Sequence, residues 1–391
     1  KRPRLPLQRP LKIDLVPFLF LTLTPLAAIF FSTVYFMTAS WNWWMLVLFI
    51  IFYHATGMSI TGGYHRLFSH RAYDAHFIVR LFYALFGAAA FQNSILKWAT
   101  DHRIHHRHVD SDQDPYSISK GFWYAHMGWM IFKEPLHPHH AAYQRDMLKD
   151  PIVVWQHKYY LPISIFMGLM IPALLGWWLG GSFIGGLALV GFTRIVALHH
   201  GTFLINSLSH WWGRQTYTDE NTARDNEFTA LLTFGEGYHN FHHLFANDYR
   251  NGIRWYHWDP TKWFIRMKAY LGLVSNLRKT PEEQILRARL EMQAKRAHVR
   301  FHRISARFPT LPRKKWHSSI EALRSRLLDL HKEIQHLKAE YRRLKAEKSA
   351  DYQHRIEEIR AEWKKRKSEW LAAYQQWKDL LQNPGLSTQY T

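Results

Sequence analysis

The chain has 391 residues, of which 51 are Lys or Arg, 30 are Asp or Glu and 26 are His, so its formal net charge is +21. This length suffices for one large domain with an appendage, and the charge favours anionic partners such as an anionic membrane leaflet, an acidic protein, a phosphorylated substrate or nucleic acid. The sequence contains no Cys, which excludes disulfides, zinc ribbons and iron–sulfur clusters built from this chain alone.

The first features along the chain are a basic N-terminal arm, KRPRLPLQRPLK at residues 1–12, and four apolar segments. Each segment is long enough to cross a hydrocarbon core of about 30 Å. The alternative, four buried helices of a soluble protein, is disfavoured because such helices rarely lack a polar face over this length. The predicted spans are residues 15–37, 41–60, 159–179 and 183–207.

Lys and Arg residues set the expected orientation of these spans. The N-terminal arm is rich in both, whereas the short connectors at 38–40 and 179–182 contain neither. By the positive-inside rule, the N-terminus is cytoplasmic and both connectors face outward. Four crossings then put residues 61–158 and the chain after residue 208, including the C-terminus, in the cytoplasm.

Histidines cluster in the stretches predicted to be cytoplasmic. The motifs are HRLFSH at 65–70, HRIHH at 102–106 and HNFHH at 239–243, with NSLSH at 206–210 before the last. Offsets of three and four put side chains on one helix face, whereas the offset of five in the first motif puts one histidine at a helix end or turn. So many imidazoles exceed the needs of one catalytic zinc and suit two metals with four or five ligands each. Imidazole suits Zn, Cu, Fe or Ni, so the spacing alone does not identify the metal.

The order HxxxxH, HxxHH, NxxxH, HxxHH on four spans resembles the membrane fatty-acid desaturases, most closely the acyl-CoA Δ9 (stearoyl-CoA) branch, over residues 13–270. The resemblance implies a di-iron centre that uses O2 to remove two hydrogens from a saturated acyl chain, leaving a cis double bond. It implies that Asn206 holds a metal-bound water. The implied metal ligands are His65, His70, His102, His105, His106, His210, His239, His242 and His243.

Further site residues lie within or beside these motifs. Asp101, Glu236 and Asp225 are candidates for acceptors that orient the ligating imidazoles, with ordinary salt bridges as the alternative. The stretch AFQNSILKWATDHR at 90–103 resembles the family segment that meets the acyl-CoA, but Thr100 stands where the family has an arginine that would reach the CoA head group. The predicted substrate contacts are Gln92, Asn93, Trp98, Asp101, Lys133 and Thr202, with Tyr53 and Gly57 either closing the far end of an acyl tunnel or serving only in helix packing.

The composition changes after Pro281, where Lys, Arg, Glu and Gln dominate. Apolar residues alternate by three and four from Ile320 to Leu344, and a second series runs from Tyr352 to Leu381. These series predict two long helices, either a helical hairpin or a coiled coil with a stutter. The tail is then either a solvated appendage that oligomerises or packs, or a docking surface for an electron donor or for lipid.

The sequence therefore predicts an all-α fold: a four-span transmembrane helical bundle, a cytoplasmic helical cap holding a di-metal site, and a C-terminal helical hairpin or coiled-coil tail. The predicted domains are a membrane desaturase domain at 13–272 and a basic cytoplasmic tail at 273–391. The expected function is O2-dependent Δ9 desaturation of acyl-CoA by two Fe ions. Its rivals are desaturation of phospholipid-bound acyl chains, hydroxylation by a related di-iron site, and a zinc-bound membrane scaffold without catalysis.

Electrons are expected from another protein, because the chain contains no His-Pro-Gly-Gly haem signature. The expected donor is a separate ferredoxin, rubredoxin or cytochrome with its reductase, and the basic cytoplasmic face suits an acidic donor. Membrane lipids and a second copy of the chain through the tail are further expected partners, whereas nucleic acid is not. The absence of a recognisable eukaryotic retention signal favours a bacterial inner membrane.

Overall fold

A computed structural model describes residues 12–133, 140–307, 313–347 and 352–383. Within it the chain divides into two compact units. The first runs to residue 279 except for residues 216–218, and the second comprises residues 216–218 and the chain from 280 onward. The predicted N-terminal arm lies outside the described residues apart from Lys12.

Four helices are long and apolar enough to cross a membrane, which confirms the four predicted spans. The second and fourth extend beyond the predicted ends at residues 60 and 207, and this extension carries the histidine motifs of residues 65–70 and 206–210. The four helices run over Leu15–Thr38, Trp43–Ser69, Tyr160–Gly180 and Phe183–Trp211.

The first unit is helical apart from two short strand pairs. Its helices are α1 Leu15–Thr38, α2 Trp43–Met58, α3 Phe77–Ala88, α4 Ile95–His108, α5 Trp129–Ile131, α6 Pro151–Lys158, α7 Tyr160–Ile165, α8 Ile171–Gly180, α9 Phe183–Gly185, α10 Arg194–Trp211, α11 Glu227–Leu232, α12 His239–Leu244 and α13 Pro260–Tyr270. π-Helical segments occupy Ser59–Ser69, Tyr124–Gly128, Phe166–Met170 and Gly186–Thr193, and short 3₁₀ turns occupy Ile118–Lys120, His140–Gln144 and Met147–Lys149. The antiparallel strand pairs are β1 Lys12–Ile13 with β3 Phe132–Lys133, and β2 Asp74–Ala75 with β4 Val274–Ser275.

The second strand pair holds the end of the first unit against its middle. Strand β4 pairs with β2, and the N–H of His76 donates to the carbonyl of Leu273 at 2.9 Å. Three residues beyond β4, the N–H of Arg278 donates to the carbonyl of Ala72 at 2.9 Å. Residues 273–279 therefore belong to the first unit, although the sequence analysis assigned them to the tail.

Arg194 is buried inside the fourth long helix. Its guanidinium donates to the carbonyl oxygens of Ala89 at 2.7 Å, Gly168 at 2.9 Å and Val190 at 3.1 Å. A buried arginine in an apolar region requires such partners, because its donors have no water to bond. Arg194 thus fastens three segments together and serves the fold.

The second unit contains three described helices, not the two that the sequence predicted: α14 Glu282–Arg307, α15 Arg313–Glu347 and α16 Tyr352–Gln382. The predicted apolar series fall on α15 and α16. Helix α14 was missed because two of its buried positions are alanines, Ala294 and Ala297, which interrupt the series of large apolar residues. Its residues Leu286, Leu290 and Phe301 share one apolar core with Trp316 and Trp377 of the other two helices.

Candidate metal centre and adjoining cavity

Nine histidines of the first unit form two adjacent groups. The five-histidine cluster comprises His65, His70, His102, His106 and His242, and the four-histidine cluster comprises His105, His210, His239 and His243. Within each cluster, one nitrogen from every imidazole lies within 4.8 Å of the others. The clusters touch each other, since the rings of His106 and His243 stack at a centroid distance of 4.3 Å. All nine histidines singled out in the sequence are thus brought together.

A π-helical segment explains the spacing of five in the first motif. The N–H of His70 donates to the carbonyl of His65 at 3.1 Å, which is the i→i+5 bond of a π-helix. This winding brings the two rings to a centroid distance of 4.9 Å. His70 follows directly after the segment Ser59–Ser69, so one histidine stands at a helix end, as the spacing indicated.

The short helix α12 is anchored at its first turn. The carboxylate of Asp225 accepts a bond from the N–H of Phe241 at 3.1 Å, and the amide of Asn240 donates to the carbonyl of Ala223 at 2.9 Å. Asp225 was predicted to orient an imidazole, but this bond acts on the helix backbone. It therefore positions the whole turn that bears His242.

Nε2 atoms converge in the five-histidine cluster. The Nε2 of His242 lies 2.9 Å from that of His65 and 3.0 Å from that of His106, and the Nε2 atoms of His70 and His102 are 2.8 Å apart. One Nε2 carries either one hydrogen or one lone pair, so it cannot satisfy two such contacts by hydrogen bonding. Nitrogens bound 2.0–2.1 Å from one metal at right angles would be about 2.9 Å apart. The cluster therefore fits a metal ion.

The four-histidine cluster has the same arrangement. The Nε2 of His239 lies 3.0 Å from that of His210 and 3.0 Å from that of His243, and His105 and His243 approach to 3.3 Å through their Nε2 atoms. The larger separation is close to the value of about 3.4 Å for two nitrogens of a tetrahedral site. A second metal ion therefore fits here, with four nitrogen ligands.

Carboxylates fix the Nδ1 side of one imidazole in each cluster. Oε2 of Glu236 lies 2.9 Å from Nδ1 of His65, and Oδ1 of Asp114 lies 2.8 Å from Nδ1 of His105. Each imidazole then carries its hydrogen on Nδ1 and directs the Nε2 lone pair into its cluster. Glu236 was predicted for this role, whereas Asp114 was missed. The available signal was its place in the DSDQDP stretch soon after the second motif.

The hydroxyl of Thr222 fixes the Nδ1 side of the His210 imidazole in the same way. Thr222 Oγ1 donates to Oδ1 of Asp110 at 2.6 Å, so it must accept the hydrogen of His210 Nδ1, which is 2.9 Å away. The N–H of Thr222 donates to Oδ2 of the same aspartate at 2.7 Å. Sequence reasoning missed Thr222 and Asp110 because they lie in loops far from the motifs they support.

Asp101 does not occupy the predicted position beside an imidazole of the clusters. Its carboxylate faces Nζ of Lys97 at 3.5 Å and Nε2 of His140 at 3.9 Å. Burial raises the pKa of this carboxyl, and Lys97 partly offsets the rise. Asp101 lies at the edge of the histidine face of α4, about 100° around the helix from His102, and its carboxylate is taken up by Lys97 and His140.

An ion network lies behind His65. The guanidinium of Arg66 donates to Oε1 of Glu236 at 2.9 Å and to Oδ1 of Asp259 at 3.0 Å, and all three side chains are buried. Burial alone would raise the pKa of the Glu236 carboxyl, but His65 and Arg66 outweigh it and lower that pKa to about 2. Glu236 therefore stays ionised and continues to accept from His65.

Burial keeps the cluster histidines neutral. It lowers the pKa of His239 to about 3, with the charge of His105 acting in the same direction. Burial is also the largest cause of lowered pKa values elsewhere in the clusters, because a charged imidazole loses its hydration there. The pKa is well below the ordinary value for His70, His102, His106, His242 and His243. Neutral imidazoles are the form that binds metal.

A cavity of about 890 Å³ adjoins both clusters. His65, His102 and His239 contribute to its wall, and much of the remainder is apolar, as at Phe20 and Leu198. The residues of the predicted substrate set and water site that line it are Gln92, Asn93, Trp98, Asp101, Thr202, Gly57 and Asn206.

Tyr53 and Lys133 are the two remaining residues of the predicted substrate set. Tyr53 is not among the lining residues, but its ring packs on that of Phe234, which lines the cavity, at 5.4 Å. Lys133 lies in β3, and its side chain is outside the described residues. Tyr53 therefore supports the wall from behind.

Polar groups brace one wall of the cavity. Nε2 of Gln92 donates to Oγ1 of Thr202 at 2.9 Å, and the N–H of Asn93 donates to the hydroxyl of Tyr160 at 3.0 Å. Asn93 has a left-handed φ of 74°, a conformation that Asn tolerates better than most residues. Thr100 is fully buried and donates to the carbonyl of Leu96 at 2.6 Å, so it turns into its own helix and does not line the cavity.

Comparison with known proteins agrees with this site. Residues 41–274 match the family described as Fatty acid desaturase. The chain is 47% identical over 250 residues to a "Probable acyl-CoA desaturase" of Schizosaccharomyces pombe, covering 64% of this chain and 52% of that protein. It is 44% identical over 259 residues to "Acyl-CoA desaturase 1" of Saccharomyces cerevisiae, covering 66% of this chain and 51% of that protein.

A third relative is covered more completely. The "sn-1 stearoyl-lipid 9-desaturase" of Anabaena variabilis is 35% identical over 251 residues, covering 64% of this chain and 89% of that protein. By contrast, the chain spans about half the length of the two yeast relatives. The family match extends over more than half of the chain and contains all three histidine motifs. This chain therefore belongs to the fatty acid desaturase family.

Proposed function

We propose that the protein is a membrane di-iron desaturase that introduces a cis double bond, at the Δ9 position, into a saturated acyl chain carried on CoA. The observation that carries this proposal is the pair of histidine clusters on the wall of one largely apolar cavity. A saturated chain offers no polar handle, so its reactive carbons must be positioned by the shape of such a cavity. The family of the chain supports the same reaction.

The nine histidines are proposed as the ligands of two iron ions. When bound, iron supplies the O2-derived oxidizing power for C–H cleavage, which no protein side chain possesses. The chain contributes the ligand geometry: Glu236, Asp114 and Thr222 hold three imidazoles with their Nε2 atoms turned inward. Asn206 stands one helical turn before His210 and lines the cavity, where we propose that it holds a water molecule.

The cavity residues are proposed to bind and orient the acyl chain. Nε2 of Gln92 donates to Thr202, whose hydroxyl donates to the carbonyl of Leu198, whereas Oε1 of Gln92 is buried without a hydrogen-bond partner among the described residues and can accept from a polar group of the substrate. Trp98 stacks on His102 at 5.0 Å and closes the wall beside the ligands. Such a dry enclosure fixes one carbon pair against the oxidant and keeps water from the reaction.

CoA is the proposed acyl carrier because the names of the two yeast relatives specify acyl-CoA. One observation favours a phospholipid-bound chain as the second candidate. Thr100 is buried and bonded within its own helix, and the Anabaena relative is named for a lipid substrate. Lys97 is a cationic group beside Asp101 at the cavity wall, and the imidazole of His140 faces the same carboxylate.

The four apolar helices indicate insertion into a membrane. We propose that both termini and the histidine clusters face the cytoplasm, with the first unit, which extends to residue 279, as the catalytic domain and the chain from residue 280 as a tail. A separate ferredoxin, rubredoxin or cytochrome is the proposed donor. Two of the relatives come from yeasts, which are eukaryotes, so the expectation of a bacterial inner membrane gains no support from them.

The test is fatty-acid analysis by gas chromatography–mass spectrometry in cells that lack their own desaturase. The cells would express either the intact chain or His106→Ala, together with a donor system. New cis-monoenoic acids with the intact chain alone are expected, because His106 contributes to the five-histidine cluster. The double-bond position tests the Δ9 assignment, and lipid-class separation before analysis tells an acyl-CoA substrate from a phospholipid.

Other products would contradict the proposal in specific ways. Hydroxy acids would identify a hydroxylase of the same metal class. Absence of any product, with zinc rather than iron in the purified protein, would identify a membrane scaffold. Metal analysis by inductively coupled plasma mass spectrometry on the same preparations separates these outcomes.

A further inference from the structure

A face of exposed aromatic residues covers helix α13 and the loop before it. Trp263, Met267 and Tyr270 recur at helical spacing on the outer side of α13, while the opposite side is buried at Ile265. In the loop, Trp255 is 85% exposed and Tyr256 is 61% exposed. The aromatic face is defined as Trp255, Tyr256, Trp258, Trp263, Met267 and Tyr270.

The composition of this face differs from that of an ordinary solvated surface. Contiguous exposed apolar patches are rare on proteins unless they bind something. Arg254 and Arg266 are exposed beside the aromatic residues, and the guanidinium of Arg266 lies over the ring of Tyr270 at 5.6 Å. Trp, Tyr, Met and Arg are the residue types enriched in the buried centres of protein–protein interfaces.

Ring contacts, one edge-on and one stacked, lead from the aromatic face to the residue that precedes His239 of the four-histidine cluster. The ring of Tyr256 is 5.2 Å from that of His257, and His257 stacks on Tyr238 at 4.6 Å with an interplanar angle of 10°. Tyr238 directly precedes His239 in the chain. The packing is tight, since a Cβ on Gly252 would lie 2.7 Å from Cβ of His257. A short, continuous route therefore leads from the surface to a proposed ligand.

We propose that the aromatic face docks an acidic one-electron carrier protein. This inference rests on the proposed function, because that reaction consumes electrons that the chain does not hold. Desaturation with one O2 breaks two C–H bonds, forms one C=C bond and yields two waters, so two electrons and two protons must come from outside. The carrier is oxidised by one electron at each of two encounters.

Two features favour a carrier protein over a lipid surface as the occupant. Aromatic and cationic residues also suit a membrane interface, but a lipid would not require the ring contacts that lead inward to Tyr238, the residue next to His239. The exposed Arg254 and Arg266 complement an acidic partner and would steer its approach.

The first measurement is the Kd of two purified probes for the full chain in nanodiscs: the soluble haem domain of a cytochrome b5 and a [2Fe–2S] ferredoxin. At least one probe should bind, and Trp255→Ala and Arg254→Glu should each weaken that binding about tenfold, as expected for a central interface residue. Trp123→Ala removes another highly exposed tryptophan and should leave the Kd unchanged. Metal-depleted protein should show the same weakening of Kd in Trp255→Ala and Arg254→Glu and the same unchanged Kd in Trp123→Ala.

The second measurement follows oxidation of the bound, reduced carrier by stopped-flow absorbance. His257→Ala should leave the Kd unchanged and slow this oxidation, because it interrupts the stacked rings without altering the exposed face. Binding of neither probe, or an unchanged Kd in Trp255→Ala, would overturn the proposal. Loss of brominated-lipid quenching in Trp255→Phe relative to the wild type would also overturn it, since the face would then lie in lipid.

Product analysis separates this inference from the proposed function. A chain that forms monoenoic acids but shows no Trp255-dependent binding contradicts the docking surface alone. A chain that binds a carrier through Trp255 but forms no such product contradicts the desaturase assignment and leaves the docking surface standing.

Discussion

The Nε2 atoms of His65 and His242 lie 2.9 Å apart, although 177 residues separate the two histidines in the chain. His65 belongs to a π-helical segment and His242 to the short helix α12. Each is held by a carboxylate, His65 directly by Glu236 and the turn of His242 through Asp225. The proposed metal centre therefore depends on the packing of distant segments as well as on the motifs.

Removal of His242 should empty the five-histidine cluster. The Nε2 of His242 faces two other imidazoles, so His242→Ala removes a shared ligand and should lower the iron content from two ions per chain to one or fewer. Inductively coupled plasma mass spectrometry on protein purified in nanodiscs measures this. His108→Ala is the matched control, because His108 lies on α4 outside both clusters. Full iron content in His242→Ala would argue against the ligand assignment.

Substitution of Glu236 should weaken metal binding without removing a ligand. Glu236→Gln deletes the charge that holds the hydrogen of His65 on Nδ1, and such outer partners typically affect metal affinity by about 10–100-fold. Competition with a chelator measures the change. Asp101→Asn should leave the metal affinity unaltered, because Asp101 faces Lys97 and His140. Equal losses of metal affinity in Glu236→Gln and Asp101→Asn would contradict a specific role of Glu236 in orienting His65.

Metal-depleted protein should lose stability as the pH falls below about 6.5. Burial lowers the folded-state pKa of His239 to about 3 and places the pKa of His70, His102, His106, His242 and His243 well below the ordinary value, whereas histidines titrate near 6.5 when unfolded. The unfolded state then binds more protons over this range, so stability rises with pH and is lost as pH falls from 6.5 towards 3. Each such histidine contributes a slope of at most about 1.4 kcal/mol per pH unit.

Thermal unfolding of the metal-depleted chain between pH 7.5 and pH 5 tests this dependence. The Tm should fall over this interval, and His239→Gln should reduce the slope because it removes one suppressed proton-binding group. A Tm that does not change with pH would mean that the clusters take up protons while folded.

Gly57→Ala should shorten the cavity. A Cβ on Gly57 would overlap the ring of Phe234, which lines the same cavity, so this ring must move. The product spectrum from mixed acyl chains should shift to shorter lengths, as read by gas chromatography–mass spectrometry. Gly128→Ala is the matched control, because Gly128 is not among the residues that line the cavity and the nearest neighbour of its Cβ would be the carbonyl oxygen of Trp123 at 3.4 Å. If both variants kept the wild-type distribution of product chain lengths, Gly57 would not limit the length of the cavity.

Trp316 should be the main stabilising residue of the second unit. It is fully buried, stacks on Phe301 at 4.3 Å and donates from its indole N–H to the carbonyl of Leu380 at 3.3 Å. Trp316→Ala should destabilise this unit by about 3–5 kcal/mol. Hydrogen exchange with mass spectrometry should show faster exchange in α15, while the iron content stays unchanged. Leu371→Ala, at an exposed position of α16, should have little effect.

The sequence predicted the features that depend on composition and local periodicity. The four apolar stretches identified the long helices, because a run without charge suits only lipid or a core. The histidine spacings indicated helical faces and two metals. Similar local patterns predicted α15 and α16, whereas α14 was missed because alanines at two of its buried positions interrupt the series of large apolar residues.

Only the tertiary structure decided which partners surround the histidines. Thr222 and Asp110 support His210 from loops without any periodic pattern, and Asp114 had only the acidic stretch after the second motif as a signal. Contacts with Lys97 and His140 hold the carboxylate of Asp101 at the cavity wall rather than beside an imidazole of the clusters. The sequence by itself determined which groups could bind metal, because ligand chemistry belongs to the side chain. Folding decided their orientation, because hydrogen bonds and cavity walls are made between segments that lie far apart in the chain.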